Sequence, residues 1–237
     1  MIFSSPLISA RFLQRRQRFL AQVEFADGTR EWVHVPNSGA LTGCMAPGIE
    51  ILLTRDDRPG RKTAYTWRFT KGPAGWICID TLAPNRLVGE ALAGAGLPGL
   101  PPPRQVRPEV SLPLGSRLDF LLELENGALA FIEVKSVTWV EEGVALFPDG
   151  VTSRGRRHLK HLTALVAQGH EAWQVFVVQR EDAQSFSAAG AVDPAYAWEL
   201  ARAAHHGVKI LVIQEKVDPP EITLASTLPF DLTLFVE

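Results

Sequence analysis

The chain has little cysteine and no long apolar run, and both shortages restrict what it can be. Cys44 and Cys78 are the only two cysteines among 237 residues. Two distant thiols are too few for a disulfide framework or a thiolate metal site, so we expect a reducing compartment. No apolar stretch approaches the roughly 20 residues that a membrane-spanning helix needs. We therefore expect no association with a membrane.

The first residues also lack the charge order of a secretory signal. Their arginines follow the apolar stretch, whereas a secretory signal carries its positive charges first. An Arg-rich start would imitate a transit peptide, but residues 18–25 continue directly into the alternation of a strand. The expectation that follows is a cytoplasmic protein, associated with the nucleoid if it binds DNA.

Positive and negative charges nearly balance, at a net charge of -2, but they are distributed unevenly. Residues 1–80 carry 11 Lys/Arg against 7 Asp/Glu, a balance of +4, and the remaining residues carry 13 against 19, a balance of -6. The hydrophobic share of 46% suits a globular chain that is large enough for two modest cores. The basic first part is the one that favours contact with phosphate.

Short strand patterns separated by turn signals fill the first part. They lie at 17–25, 29–35, 49–55, 63–70 and 76–79. Five short strands predict a small Greek-key barrel, for which the oligonucleotide-binding (OB) fold is the commonest nucleic-acid version. Any other small antiparallel barrel or sandwich fits the same pattern. The periodicity changes near residue 80, so we predict an OB-like barrel domain at 1–82 and a second domain at 83–237.

The second part alternates helical and strand patterns. Helices are predicted from residue 84 to about 95, at 153–168 and at 194–206. Strands are predicted at 105–113, 116–124, 128–138, 173–178 and 208–214, with a hairpin turn at 125–127. The apolar strand at 173–178 is typical of the centre of a sheet that is covered on both faces. The pattern therefore predicts an α/β domain with a mixed sheet flanked by helices.

Two of these apolar strands contain charges that such strands normally exclude. Asp119 interrupts the strand at 116–124, and Glu133 and Lys135 lie in the next one. Residues two apart on a strand face the same side, so Glu133 and Lys135 share one face. Buried charges need partners, and a divalent metal held by Asp119 and Glu133, with Lys135 beside it, would supply them. This indicates a metal-dependent phosphodiesterase; a buried ion pair is the alternative.

The order helix, three strands, helix, strand resembles the core of the PD-(D/E)xK nuclease superfamily. The resemblance implies Glu90, Asp119 and Glu133 as metal ligands and Lys135 as a catalytic residue beside Asp119 and Glu133. Glu90 would otherwise be an exposed helix residue. Carboxylates suit Mg²⁺ or Mn²⁺, which keep several waters and bind phosphate oxygens. Lys135 would orient or deprotonate the attacking water, or neutralise the charge that develops on the phosphate.

Longer strings of the chain resemble the sugar fermentation stimulation protein A (SfsA) family. They lie at residues 18–20, 35–39, 61–62, 81–85, 116–120, 133–138, 147–155 and 158–159. These strings are far more specific than a Glu-x-Lys tripeptide, which occurs by chance in roughly half of chains this long. The resemblance implies a bacterial DNA-binding protein with a barrel domain and a nuclease-like domain, described in the family as a regulator of sugar fermentation.

The predicted helix after residue 152 begins beside several cations. Arg154 and His158 are four residues apart, hence neighbours on one face near a helix N-terminus, which attracts phosphate. We interpret both as contacts to phosphate or DNA; in the alternative, His158 makes only internal hydrogen bonds. Asp149 is a candidate metal ligand or a simple turn residue, because Thr152 already suffices to cap the helix.

The remaining basic residues are interpreted either as contacts to phosphate or as a solvated surface. The basic residues of the first part are candidates for a phosphate track: Arg11, Arg15, Arg16, Arg18, Arg55, Arg58, Arg61 and Lys62. Aromatic residues available for base stacking there are Trp32, Trp67 and Phe19. A solvated face is the alternative for such charges, and it is our interpretation for Arg156, Arg157 and Lys160.

The function that these patterns favour is DNA binding with a Mg²⁺- or Mn²⁺-dependent nuclease site. The alternative is a non-catalytic DNA-binding regulator of sugar metabolism that retains a degenerate nuclease scaffold. No helix-turn-helix pattern stands out, so we expect non-specific or structure-specific binding to DNA. The sequence leaves catalytic activity and the oligomeric state open, a homodimer included.

Overall fold

The structure is a computed structural model that describes residues 1–56, 59–112 and 116–232. Its first part is a closed barrel. The strands are β1 (Leu7–Arg16), β2 (Leu20–Glu24), β3 (Arg30–His34), β4 (Glu50–Arg55), β5 (Tyr65–Lys71) and β6 (Trp76–Cys78). Their order is β3-β2-β1-β4-β5-β6, and β3 also pairs with β5, so five strands close on themselves. The predicted OB-like barrel is confirmed.

One barrel strand was missing from the sequence prediction. β1 covers Leu7–Arg16, whereas the predicted first strand begins at residue 17. Only Ala10 and Phe12 of β1 are buried, and its arginines point outward or along the surface, so the apolar alternation is weak. Gln17 has a positive φ of 55° at the turn between β1 and β2. The strand is held by a hairpin with β2 and by pairing with the more distant β4.

The second part is a mixed sheet with helices on both faces, as predicted. Its elements are α1 (Ala83–Ala93), β7 (Pro103–Leu112), β8 (Ser116–Leu124), β9 (Leu129–Val137), β10 (Trp139–Glu141), β11 (Val144–Phe147), α2 (Ser153–Ala167), β12 (Glu171–Val178), β13 (Ser185–Ala188), α3 (Pro194–His205), β14 (Lys209–Asp218) and β15 (Glu221–Thr227). The main sheet has the order β15-β14-β12-β9-β8-β7. β12 pairs in parallel with both β9 and β14, so the apolar strand is central.

Two cores lie on opposite faces of this sheet. One contains residues of α2 and α3, such as Leu159, Leu162 and Leu200, against Phe131 and Phe176 of the sheet. The other contains residues of α1 with the remaining side chains of the same strands. α2 begins at the cap of Thr152, whose hydroxyl accepts from the backbone N–H of Gly155. The packing of α2 onto the sheet brings its second turn against the middle of β9, where His158 meets Glu133.

Several short elements differ from the prediction. β10, β11 and β13 form a separate three-stranded sheet where the sequence predicted only loops. β11 pairs in parallel with β13, and α2 and β12 separate the two strands in the chain. No local sequence pattern therefore reveals this pairing. β15 adds an antiparallel edge strand to the main sheet. None of these strands changes the order of the predicted core.

The barrel and the α/β part contact each other extensively. A shared apolar cluster contains Phe69 and Cys78 from the barrel with Leu87, Val217 and Ile222. The backbone N–H of Cys78 donates to the carbonyl of Gln179 across the boundary, at 3.2 Å. In the described ranges, no helix combines the length and the apolar character needed to cross a membrane.

Candidate functional site

A cleft of about 990 Å³ lies between the barrel and the α/β part. Its charged lining residues are Arg15, Arg18, Glu109, Arg117, Asp119, Glu133, Lys135, Asp149 and Arg154. Five cations therefore surround four carboxylates in one concave surface. Such a surface attracts an anionic ligand as a whole, while its carboxylates favour a cation locally.

Asp119 is held in a fixed orientation at one wall of the cleft. It lies on β8, whose antiparallel pairing with β9 places it beside residues 133 and 134. Its Oδ2 accepts from the backbone N–H of Val134 at 2.7 Å, and its Oδ1 accepts from Nδ2 of Asn85 at 2.6 Å. Burial raises the pKa of Asp119, and the nearby negative charge of Glu133 adds to this effect.

Glu133 is buried, with 3% of its surface exposed. Its Oε1 accepts from Nζ of Lys135 and contacts Nδ1 of His158. Burial would raise the pKa of Glu133, but the Lys135 ammonium and the contact with His158 outweigh it, and the pKa is lowered. Oε2 has no hydrogen-bond partner in the part of the chain that the structure describes. A buried carboxylate oxygen without a partner is costly, which makes it a position for a ligand.

The contact between His158 and Glu133 has a definite proton arrangement. Nε of Arg154 lies 3.4 Å from Nε2 of His158 and can only donate. Nε2 is the acceptor in that contact, and the carboxylate of Glu133 can only accept, so Nδ1 of His158 carries a proton and donates to Oε1 of Glu133. His158 therefore orients the carboxylate of Glu133 instead of presenting itself to the cleft.

This placement corrects one prediction. His158 was expected to contact phosphate, but only 2% of its surface is exposed and it is not part of the cleft lining. The physical reason is the inward face of α2, which His158 shares with Leu159 and Leu162. Arg154, in the first turn of the same helix, is exposed and does line the cleft.

Asp119 and Glu133 together fit a hard divalent cation. Oε2 of Glu133 is free among the described atoms, and each Asp119 oxygen has a second lone pair beyond the one that accepts a hydrogen bond. No group of three or more His, Cys, Asp or Glu residues with metal-site geometry occurs in the described ranges. A site of two carboxylates suits Mg²⁺ or Mn²⁺, which take their remaining ligands from water and phosphate oxygens.

Of the two other predicted metal ligands, Glu90 lies outside the cleft and Asp149 lines it. Glu90 is exposed on α1 and pairs with the N-terminal ammonium of Met1 at 3.1 Å, so the structure does not bring it to Asp119. Asp149 does line the cleft, but its Oδ2 accepts from the backbone N–H of Leu41 at 3.2 Å. Its described contacts therefore join the α/β part to the barrel.

The predicted phosphate track divides into residues inside and outside the cleft. Arg15 and Arg18 line it, and Arg15 donates to the carbonyls of Asn37 and Gly39 at 2.7 and 2.8 Å, which fixes the loop at 37–40. The residues outside the lining are Arg11, Arg16, Arg55, Arg61 and Lys62, and Arg58 lies outside the described residues. Arg61 donates to Oδ2 of Asp56 at 2.7 Å. Trp67 is fully buried in the barrel core and so presents no face for stacking.

Comparison with known proteins identifies the family. A model described as "Sugar fermentation stimulation protein RE domain" matches residues 82–221, and one described as "SfsA N-terminal OB domain" matches residues 13–79. The chain belongs to the sugar fermentation stimulation protein (SfsA) family. The resemblance of its sequence strings is thereby confirmed.

Relatives and a solved structure cover nearly the whole chain. Sugar fermentation stimulation protein homologs of Citrifermentans bemidjiense and Geobacter sulfurreducens are 42% and 43% identical over 229 residues, which is 97% of this chain and 99% and 98% of theirs. A structure described as that of Pyrococcus furiosus SfsA in complex with Ca²⁺ is 29% identical, with a TM-score of 0.85 and 98% coverage of both chains. The two-part architecture is therefore that of the SfsA family.

Asn85 and Arg117 belong to the site although the sequence analysis did not select them. Asn85 lies in the first turn of α1 and donates to Asp119, a contact that depends on how α1 docks on β8. Arg117 lies two residues before Asp119 on β8 and lines the same cleft. The period of a strand would have indicated Arg117, since residues two apart share a face.

Proposed function

We propose that the cleft is a divalent-metal-dependent phosphodiesterase site that acts on DNA. The observation that carries the proposal is Oε2 of Glu133, a buried oxygen without a described partner, next to the oriented carboxylate of Asp119. The Ca²⁺ complex of the Pyrococcus furiosus relative supports a site for a hard divalent cation in this family. Mg²⁺ and Mn²⁺ are the proposed ions for this chain.

Asp119 and Glu133 would hold the ion. When bound, it would supply Lewis acidity toward a phosphoryl oxygen and lower the pKa of a coordinated water. The hydrogen bonds from Val134 and Asn85 fix the orientation of Asp119, and those from Lys135 and His158 fix that of Glu133. The ligands are thus oriented before substrate arrives, which lowers the cost of reorganisation.

Two cations of the cleft are linked to Glu133: Lys135 contacts it directly, and Arg154 contacts His158, which binds it. The Lys135 ammonium, 16% exposed, would orient the attacking water or neutralise charge that develops on the phosphate. The exposed Arg154 guanidinium would hold a phosphate by two parallel hydrogen bonds. Arg18 and Arg117 extend the cationic lining of the cleft, where they would contact further phosphates of a bound DNA strand.

A cleavage assay tests this function. Purified full-length protein is incubated with labelled single- and double-stranded DNA in Mn²⁺, Mg²⁺ or EDTA. We expect cleavage that requires metal and that Asp119→Asn and Lys135→Ala each reduce at least about 100-fold, an order expected of such groups. Lys216→Ala, which removes an exposed lysine of β14, is the matched control and should retain full activity.

Two results would overturn the enzymatic proposal. One is cleavage that neither substitution changes, because the activity would then come from a contaminant or another site. The other is DNA binding without cleavage in any metal, which would leave the non-catalytic DNA-binding regulator as the function. Either function predicts that the protein is cytoplasmic and associates with the nucleoid, which fractionation of lysed cells with and without nuclease treatment would test.

A further inference from the structure

A second basic surface lies beside the cleft, in the groove between α2 and α3. This α2–α3 groove has a volume of about 670 Å³, and Arg156, Arg157, Lys160 and Trp198 are among its lining residues. We propose that it binds single-stranded DNA that continues from the cleft, with phosphates at the three cations and a base stacked on Trp198. The inference rests on the proposed function of the cleft as a DNA site.

The three cations have no internal role that the structure reveals. Within the described ranges, no side-chain hydrogen bond or ion pair involves Arg156, Arg157 or Lys160. Glu199, the acid of the groove, is 3% exposed and already accepts from Arg202 at 3.1 Å, so it does not neutralise them. These three cations, without a partner among the described residues, make the surface locally positive in a chain with a net charge of -2. Its positive potential complements a phosphate backbone.

Trp198 is the second, independent observation. Its neighbours on α3, Tyr196, Ala197 and Leu200, are buried in the core, while 52% of Trp198 is exposed. The guanidinium of Arg202 lies 5.5 Å from the centre of its ring, which supports the indole from the side of its own helix. An exposed indole beside unpaired cations is the combination that single-strand binding surfaces use, because any base can stack on it.

The groove adjoins the cleft at the start of α2. Thr152 and Arg154 line the cleft, and Ser153 between them lines the groove. From Arg154 to Lys160 the helix rises about 9 Å. This distance corresponds to about three nucleotides at the rise of a stacked strand. A strand whose phosphate contacts Arg154 in the cleft therefore reaches the groove without a gap.

Binding measured without metal tests the inference separately from cleavage. Full-length protein is titrated into a fluorescein-labelled single-stranded oligothymidylate in EDTA at several salt concentrations. We expect Arg157→Ala/Lys160→Ala to weaken binding at least about tenfold. The slope of the logarithm of the binding constant against the logarithm of the salt concentration should become shallower by about 0.7 for each phosphate that the variant no longer neutralises. Trp198→Leu should weaken binding at least about fivefold without changing that slope, and Trp198→Phe should retain most of the affinity.

The controls separate this groove from general charge effects and from the cleft. Lys216→Ala removes an exposed lysine outside the groove and should leave affinity unchanged. Asp119→Asn should lose cleavage while it still binds in EDTA, so failure of catalysis and failure of the groove give different results. Wild-type affinity in Arg157→Ala/Lys160→Ala and in Trp198→Leu, or no single-strand binding by the wild type, would overturn the inference. So would a dimer that Trp198→Leu dissociates, since the groove would then be a protein interface.

Discussion

His158 donates a hydrogen bond from Nδ1 to Oε1 of Glu133 while almost fully buried under the cleft. The same oxygen accepts from Lys135, so two donors hold one carboxylate oxygen, and Oε2 has no partner among the described residues. His158 therefore orients the carboxylate of Glu133 and does not itself contact substrate. The orientation of the candidate metal ligand therefore depends on the docking of α2.

His158→Leu should weaken metal binding, since Glu133 loses the donor that orients it. Removal of such an orienting partner typically costs about 10- to 100-fold in metal affinity. His158→Asn keeps an N–H donor close to the position of Nδ1 and should retain most of the affinity. Titration calorimetry with Mn²⁺ measures both variants independently of activity. Equal affinities in the wild type and both variants would show that His158 does not orient the ligand.

Asn85→Ala should impair the cleft through Asp119. Asn85 donates to Oδ1 of Asp119 at 2.6 Å, and without it the carboxylate keeps only the hydrogen bond from Val134. We expect a loss of about tenfold or more in Mn²⁺ affinity with little change in the melting temperature. Asn126→Ala is the matched control, because it also removes a hydrogen bond of 3.0 Å, but in the hairpin turn between β8 and β9. Similar affinity losses in both variants would contradict a specific role for Asn85.

Much of the site follows from strand periodicity and one hairpin. The alternation of β9 places Glu133 and Lys135 on one face, and the pairing of β8 with β9 brings Asp119 next to them. These relations are local in sequence, and so the sequence predicts them. The core order of helices and strands follows in the same way from apolar periods of about 3.6 and 2 residues.

The parts that the sequence did not predict depend on contacts between distant elements. His158 lies inward with Leu159 and Leu162 on the face of α2 that packs on the sheet, and only that packing decides that it meets Glu133. Glu90 and Asn85 lie on the same helix, and only its docking decides that Asn85 reaches Asp119. β13 is likewise formed by pairing with the distant β11, and β1 pairs with the distant β4 as well as with β2.

Gly39→Ala should destabilise the contact between the barrel and the α/β part. A Cβ at this position would collide with the carboxylate of Asp149, lying 2.9 Å from its Oδ1 and closer still to Oδ2. Asp149 is held there by the backbone N–H of Leu41. We expect a loss of about 1–3 kcal/mol in the free energy of unfolding, as for other forced overpacking.

A double-mutant cycle assigns that loss to Asp149. Asp149→Ala removes the colliding group, so Gly39→Ala should cost less in its presence, with a coupling of about 0.5–3 kcal/mol between the two sites. Urea denaturation of the four proteins provides the values. Strict additivity would mean that the collision is relieved elsewhere and that Asp149 does not set the space for residue 39.

Glu215→Gln should stabilise the protein in a pH-dependent way. Glu215 is fully buried on β14, and neither carboxylate oxygen has a hydrogen-bond partner among the described residues. Burial raises its pKa well above the ordinary value of 4.5, and the negative charge of Asp80 adds to this shift. The folded state therefore keeps the proton at pH values at which the unfolded state has lost it.

The sign of the effect follows from that difference. Below pH 4.5 both states are protonated at this residue, and the carboxyl imposes no pH-linked penalty. As pH rises from there toward the raised pKa, the wild type loses stability by up to about 1.4 kcal/mol per pH unit through this group, and above that pKa the penalty is constant. Glutamine does not ionise, so the stability advantage of Glu215→Gln should grow over the same range.

Urea denaturation from acidic to slightly alkaline pH measures this advantage. Glu221→Gln, an exposed substitution on the neighbouring strand β15, is the control and should follow the wild-type pH dependence. If the difference in the free energy of unfolding between Glu215→Gln and the wild type stays constant with pH, Glu215 ionises alike in the folded and the unfolded protein. In that case the buried carboxylate must gain a partner in solution, and the boundary between β14 and the barrel would be the place to look for it.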